Sequence, residues 1–315
     1  MTAPLRRSSR PVPRHRPATR ATGLAVAALA TSLLLAGCGD DDGEETARDT
    51  ATSSSPAATP SPSASPSDEP AEPTGTADGS PADQAAVYFV VDTRAGLRLA
   101  RESQPVSGDP AVGALEAMVA GPVDPDLTTS WDPATRVLSA ELGSDGVVTV
   151  DLSAEARQAD VGSPGAAAMV QQLVWTVTEA LDPDASVRLL VEGEPAGELW
   201  GAVSWDEPVT RAAAEEVRAP VTVDIPSEGA TVASPVSVNG EASAFEANVP
   251  WRVLDDRGRE VDSGFTTAEE AMTFAPFYFD VRLEPGTYVI EVLEDDPSGG
   301  EGGEPYVESR TVTVE

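Results

Sequence analysis

The sequence predicts an α+β domain, one sheet with two helices packed against it, followed by an all-β sandwich, both behind a disordered N-terminal tether. Three observations predict this. Between residues 85 and 208, apolar runs of strand length alternate with two segments of helical period, in the order β-β-α-β-β-α-β. Between 219 and 315, short alternating runs recur between Gly-, Pro- and Asp-rich turns without helical period. Ahead of both, Gly39 to Gln84 holds no Val, Ile, Leu, Met, Phe, Trp or Tyr. Such a stretch cannot bury enough apolar surface to offset its chain entropy.

Residues 1–37 come first. They carry Arg6, Arg7, Arg10, Arg14, Arg16 and Arg20, the only histidine (His15) and no acid, and they end in the uncharged, mostly apolar run Thr22 to Gly37. Sixteen residues fall short of the roughly 20 needed to span a bilayer, and the charged flank is that of a secretory signal. Leu35-Ala36-Gly37-Cys38 matches the bacterial lipobox, in which the cysteine becomes the first mature residue. The Cys38 thiol would accept diacylglycerol as a thioether, and several acyl chains together give stable anchoring. The expected location is the cell membrane, lipid-anchored and facing the extracytoplasmic side. Cys38 is the only cysteine, so disulfides are excluded in spite of an oxidising compartment.

The tether, residues 38–84, carries seven prolines and 14 Ser/Thr after Cys38. Its reach lies between about 40 Å as a coil and about 140 Å as extended polyproline. A mature chain starting at Cys38 has 14 arginines against 53 acids, a formal balance of −39. Without His or Lys it cannot form a serine–histidine triad, a lysine Schiff base, a P-loop lysine or an imidazole metal site. An anionic protein of this strength is repelled by nucleic acid and by anionic lipid surfaces. The acidity is spread over the folded part, where 42 acids face 13 arginines.

Within 85–208, Val87 to Val91 is a dense β-branched and aromatic strand, with a second at Leu97 to Glu102. Asp109-Pro110 supplies a cap and a proline at the first helical position, and Gly121-Pro122 stops that helix. Strands at Arg136–Leu142 and Val147–Leu152 are joined across Gly143-Ser144-Asp145-Gly146, a hairpin signal. Ser163-Pro164 opens a second helix reaching Leu181, and Val187–Val191 is a last strand. Within 219–315, strands are expected at Val221–Ile225, Val236–Gly240, Val249–Leu254, Phe277–Leu283, Tyr288–Leu293 and Val307–Val314.

These residues carry a resemblance. Leu115 to Pro122, the hairpin from Val137-Leu138-Ser139 to Val148 through Ser153, and Gln172 to Thr178 followed by Val187 to Gly193 resemble the GerMN domain of sporulation and germination lipoproteins. Ile225 to Val232, then Ser234 to Gly240, resembles the immunoglobulin-like domain found beside GerMN in such proteins, with Trp251 as its core tryptophan. The resemblance implies a small α/β domain akin to ring-building domains of secretion-type assemblies, with no established catalytic residues and no cofactor.

No G-x-S-x-G elbow, H-E-x-x-H, Walker loop, Rossmann fingerprint or EF-hand loop occurs. On the second helix, Met169, Val170, Leu173, Val174, Val177 and Leu181 share one face, which should cover the sheet. Trp175 then points among Gln171, Gln172, Glu179 and Asp182, which makes Trp175, Gln171 and Glu179 a candidate contact surface. The alternative is that Trp175 packs under a loop or against the sandwich. Trp200 and Trp205 are candidates for stacking on cell-wall sugars, with packing as their alternative. The leading expectation is a non-enzymatic, lipid-anchored envelope protein that contacts other proteins. A wall-glycan binder comes second and a paired-carboxylate wall hydrolase third.

Overall fold

The computed structural model describes residues 83–315, which belong to one compact unit. Cys38 and the expected signal segment lie outside the described residues, as does the expected tether up to residue 82. Asp83 and Gln84, assigned above to the tether, are instead the first residues of strand β1 (Asp83–Thr93). Their side chains are polar, but their backbone pairs with Val106 and Pro105 of β2 (Gly96–Val106), which completes a hairpin of two eleven-residue strands.

Helix α1 (Pro110–Ala120) starts where the sequence marks it. Asp109 Oδ1 accepts from the Ala111 and Val112 amides at 3.0 Å, and Gly121 closes the helix with φ +103°. β3 (Val137–Leu142) and β4 (Val147–Leu152) form an antiparallel hairpin. α2 (Ser163–Leu181) leads to β5 (Ser186–Val191), which lies parallel to β4. β6 (Glu194–Pro195) completes a four-stranded sheet of order β3-β4-β5-β6. A small hairpin of β7 (Gly197–Leu199) and β8 (Val203–Trp205) follows, then the single-turn helix α3 (Ala214–Val217).

The strands expected in a single sheet are therefore divided between two, because among the described residues β1 and β2 pair only with each other as strands. The reason is that both faces of β1 are buried. Val87, Phe89 and Val91 enter the main core with Leu115, Val148, Leu173 and Val177, while Tyr88, Val90 and Leu99 form a second cluster with Trp175. α2 contacts β1, β2 and α1 as well as β5. Its polar residues are consequently internal: Gln172 bonds Thr129, Thr176 Oγ1 accepts from the Tyr88 amide at 3.1 Å, and Thr178 donates to the Val174 carbonyl at 2.6 Å.

The sandwich pairs β9 (Val221–Ile225), β11 (Val236–Ser243) and β14 (Phe274–Val281) in one sheet. Facing it are β10 (Ala230–Val232), β12 (Asn248–Asp255), β13 (Glu260–Thr267), β15 (Gly286–Leu293) and β16 (Val307–Val314). β13 carries no sequence signal because it is an edge strand whose apolar residues, Val261 and Phe265, face solvent. Trp251 does pack on the sandwich core, stacked on Phe279 at 4.7 Å and 7°, but it is only partly buried. Gly240 allows β11 to approach β9: a Cβ there would sit 1.9 Å from the Thr222 carbonyl oxygen.

Candidate functional site

The candidate surface built on Trp175 is an internal contact. Trp175 is 6 % exposed, its ring meets Tyr88 at 5.3 Å, and the Arg211 guanidinium lies over it at 4.3 Å. Arg211 donates to Thr178 at 2.7 Å, to the Trp175 carbonyl at 3.3 Å and to Glu179 at 2.7 Å. Gln171 accepts from the Ala212 amide at 2.9 Å. A strap of residues 210–212 thus covers the patch, and Trp175, Gln171 and Glu179 hold the strap instead of facing solvent. Of the two readings drawn from the sequence, packing under a loop is the one seen.

Trp200 and Trp205 are likewise engaged. Trp205 is 3 % exposed and donates its indole N–H to the Val187 carbonyl at 3.1 Å. Trp200 donates to the Ala156 carbonyl at 3.1 Å and meets the buried Trp131 edge-on at 5.4 Å. A sugar-stacking platform needs free ring faces, so the motive for glycan binding at this pair is lost. Among the described residues no group of three or more acids is arranged to hold a metal ion, and no helix is long and apolar enough to cross a membrane.

Two features that sequence reasoning missed remain. The first is a cleft of about 470 Å³, within the range of ligand sites. Its walls come from β2 (Leu97, Arg98, Leu99), the first half of α2 (Pro164 to Gln171), β8 and α3. The cause is legible once the fold is known. Gly165-Ala166-Ala167-Ala168 gives α2 small side chains where it passes β2, so the space between them stays open.

The second is the junction between the two halves of the molecule, where arginines are concentrated. Arg310 on β16, 2 % exposed, donates to Asp124 of the loop after α1 at 2.7 Å, to Glu308 at 2.6 Å and to the Val223 carbonyl at 2.8 Å. Tyr306 donates to Glu308 on the far side, and Glu102 of β2 accepts from the Asp124 amide at 3.0 Å. Nearby, Arg101 of β2 grips Asp224 with both ends of its guanidinium at 2.9 and 2.6 Å. Arg101 and Arg218 also share Glu241, at 3.3 and 2.7 Å. Arg94 reaches Glu294 at 2.7 Å.

The electrostatics of these groups differ in sign. Burial pushes the Glu308 and Asp124 carboxyls above the usual carboxylate range; Arg310 pulls Glu308 back only in part, as the Asp126 amide and Arg310 do Asp124. Burial acts upward on Glu241 too, but Arg101 and Arg218 outweigh it and hold that carboxyl low. Glu308 and Asp124 share one cation, Arg310, whereas Glu241 has two, Arg101 and Arg218.

Comparison with known proteins gives the lineage of both halves. A family described as "Sporulation and spore germination" matches residues 86–197, and an "Immunoglobulin-like domain of bacterial spore germination" matches residues 220–301. Among solved structures, the first GerMN domain of the sporulation protein GerM from Bacillus subtilis is 20 % identical, with 41 % of this chain and 97 % of that chain covered and a TM-score of 0.33. The tandem GerMN domains of the same protein are 14 % identical, with 64 % of this chain and 62 % of that chain covered and a TM-score of 0.34. No curated protein matches the chain. With both matched segments in place, the chain carries a GerMN domain of the sporulation and spore germination family followed by an immunoglobulin-like domain of bacterial spore germination.

Proposed function

We propose that this protein is a non-enzymatic, lipid-anchored component of the cell envelope, facing the extracytoplasmic side, on which other envelope proteins assemble. The observation that carries this reading is the junction: its arginine–carboxylate contacts join the two domains into one platform. Domains held in fixed relation present a composite surface without the entropy loss of ordering it on binding. The lipobox at Leu35 to Cys38 supports the anchor, and the acyl chains there would hold the chain at the membrane. The experiment is fractionation of cells fed a labelled fatty acid, with in vivo cross-linking of the full lipoprotein. Label on the chain, its loss together with membrane attachment in Cys38→Ala, and cross-links to identified envelope proteins are the expected results. Turnover of cell-wall fragments abolished by a single carboxylate substitution would overturn the non-enzymatic reading.

A further inference from the structure

Arg218 links the cleft to an apolar tip of the sandwich across the junction. Val217 lines the cleft, and the guanidinium of the next residue, Arg218, sits 4.1 Å over the Phe274 ring at the start of β14. Two residues before Phe274, Met272 donates its amide to the Ala244 carbonyl at 2.9 Å, which brings it beside Phe245. Both side chains are presented to solvent, Met272 at 67 % and Phe245 at 45 % exposure. The loops that present them are held in a costly shape. Glu246, Ala247 and Met272 are three of the five described non-glycine residues with left-handed backbone, at φ +52°, +59° and +63°. The chain thus holds two large apolar side chains outward, across the junction from a cleft whose apolar lining includes Leu97, Ala167 and Val170.

The charges around these features are one-sided. Glu215, Glu216, Glu246, Glu269 and Glu270 are all exposed there. Among the described residues Arg98 is the only arginine lining the cleft, while Arg211 and Arg218 are held by Glu179 and Glu241. A second copy of this chain would set glutamates against glutamates, and nucleic acid or an anionic lipid surface would be repelled. The geometry points to one composite docking surface, the cleft plus the Phe245–Met272 tip, whose occupant is a Lys/Arg-rich protein surface carrying an apolar side chain that enters the cleft. This rests on the reading of the protein as an assembly platform, and it adds where the partner docks and what its surface must look like.

The test uses the full acylated chain in detergent. The probes are two synthetic amphipathic helices with the same leucine face, one with a lysine and one with a glutamate polar face, followed by fluorescence anisotropy. The lysine helix is expected to bind and the glutamate helix to bind more weakly by roughly tenfold or more. Ala167→Trp fills the cleft from an exposed helix position, and Met272→Asp removes the tip; each should weaken the lysine helix by roughly tenfold. Leu97→Asp repeats the cleft test without enlarging any side chain, and Leu138→Asp on β3 should change nothing. Equal binding of both helices, or a loss no greater than that of Leu138→Asp, overturns the surface. A photo-cross-linking residue at 167, 272 or 138 in the living cell separates the two readings. An identified envelope protein captured only from 138 leaves the platform standing and sinks this surface; none captured from any position sinks both.

Discussion

The two ion clusters that join the domains are built from the same residue types and are opposite in character. The Arg310 cluster is dry and short of positive charge, with Asp124 and Glu308 around one guanidinium. The Arg101–Arg218 cluster is better balanced and partly open to solvent, with Asp224 and Glu241 around two. The difference teaches that an ion pair's contribution depends on what its removal leaves behind. Where water can reach, a lost partner is replaced by solvation. Where it cannot, an uncompensated charge remains.

This contrast can be broken first by Arg310→Met, for which the largest effect is expected. Stranding Glu308 and Asp124 should cost about 3–5 kcal/mol of unfolding free energy by urea titration. Adding Glu308→Gln and Asp124→Asn should recover most of it. Arg101→Met should cost less, about 1–2 kcal/mol, and its effect should shrink in high salt, whereas the Arg310 effect should not. A similar cost is expected for Arg211→Ala, and a red shift of tryptophan emission should report Trp175 losing its cover.

The two clusters also respond to pH with opposite sign. Glu308 and Asp124 have folded-state pKa values above the unfolded value of about 4, so folding favours their protonated forms. The stability they contribute is present below that value and is lost as pH rises through the raised folded pKa. Glu241 is depressed, so its contribution is present above about 4 and is lost as pH falls below it. Glu308→Gln should therefore flatten the loss on the alkaline side, and Glu241→Gln the loss on the acid side, in urea titrations run from pH 3 to 8. The smallest effect is expected at Arg94→Ala, because the exposed pair with Glu294 contributes under about 1 kcal/mol.

Local signals carried much of this architecture. The two long helices are legible because neighbours in the chain mark them: Asp109-Pro110 and Gly121 for α1, Ser163-Pro164 at the start of α2. Most strands of the sandwich are legible from alternation, and β13 is not, since an exposed edge has no buried face to alternate with. The position of Trp175 is illegible for a different reason. Gln171 and Glu179 look solvent-facing by period, but their partners Ala212 and Arg211 arrive from a segment without periodicity. The same holds for the junction, where Asp124 and Arg310 meet across 186 positions of sequence. The cleft is a space left by small residues, and nothing in the sequence shows which neighbours fail to fill it.

The arginine–carboxylate contacts of the junction hold the GerMN and immunoglobulin-like domains as one body. The most direct measurement is the distance between two spin labels, placed at Leu138→Cys on β3 and Phe265→Cys on β13 in a Cys38→Ala chain that has no other thiol. One narrow distance distribution, unchanged by salt and broadened by Arg310→Met, is predicted. A broad distribution in the chain that keeps Arg310 would contradict the account.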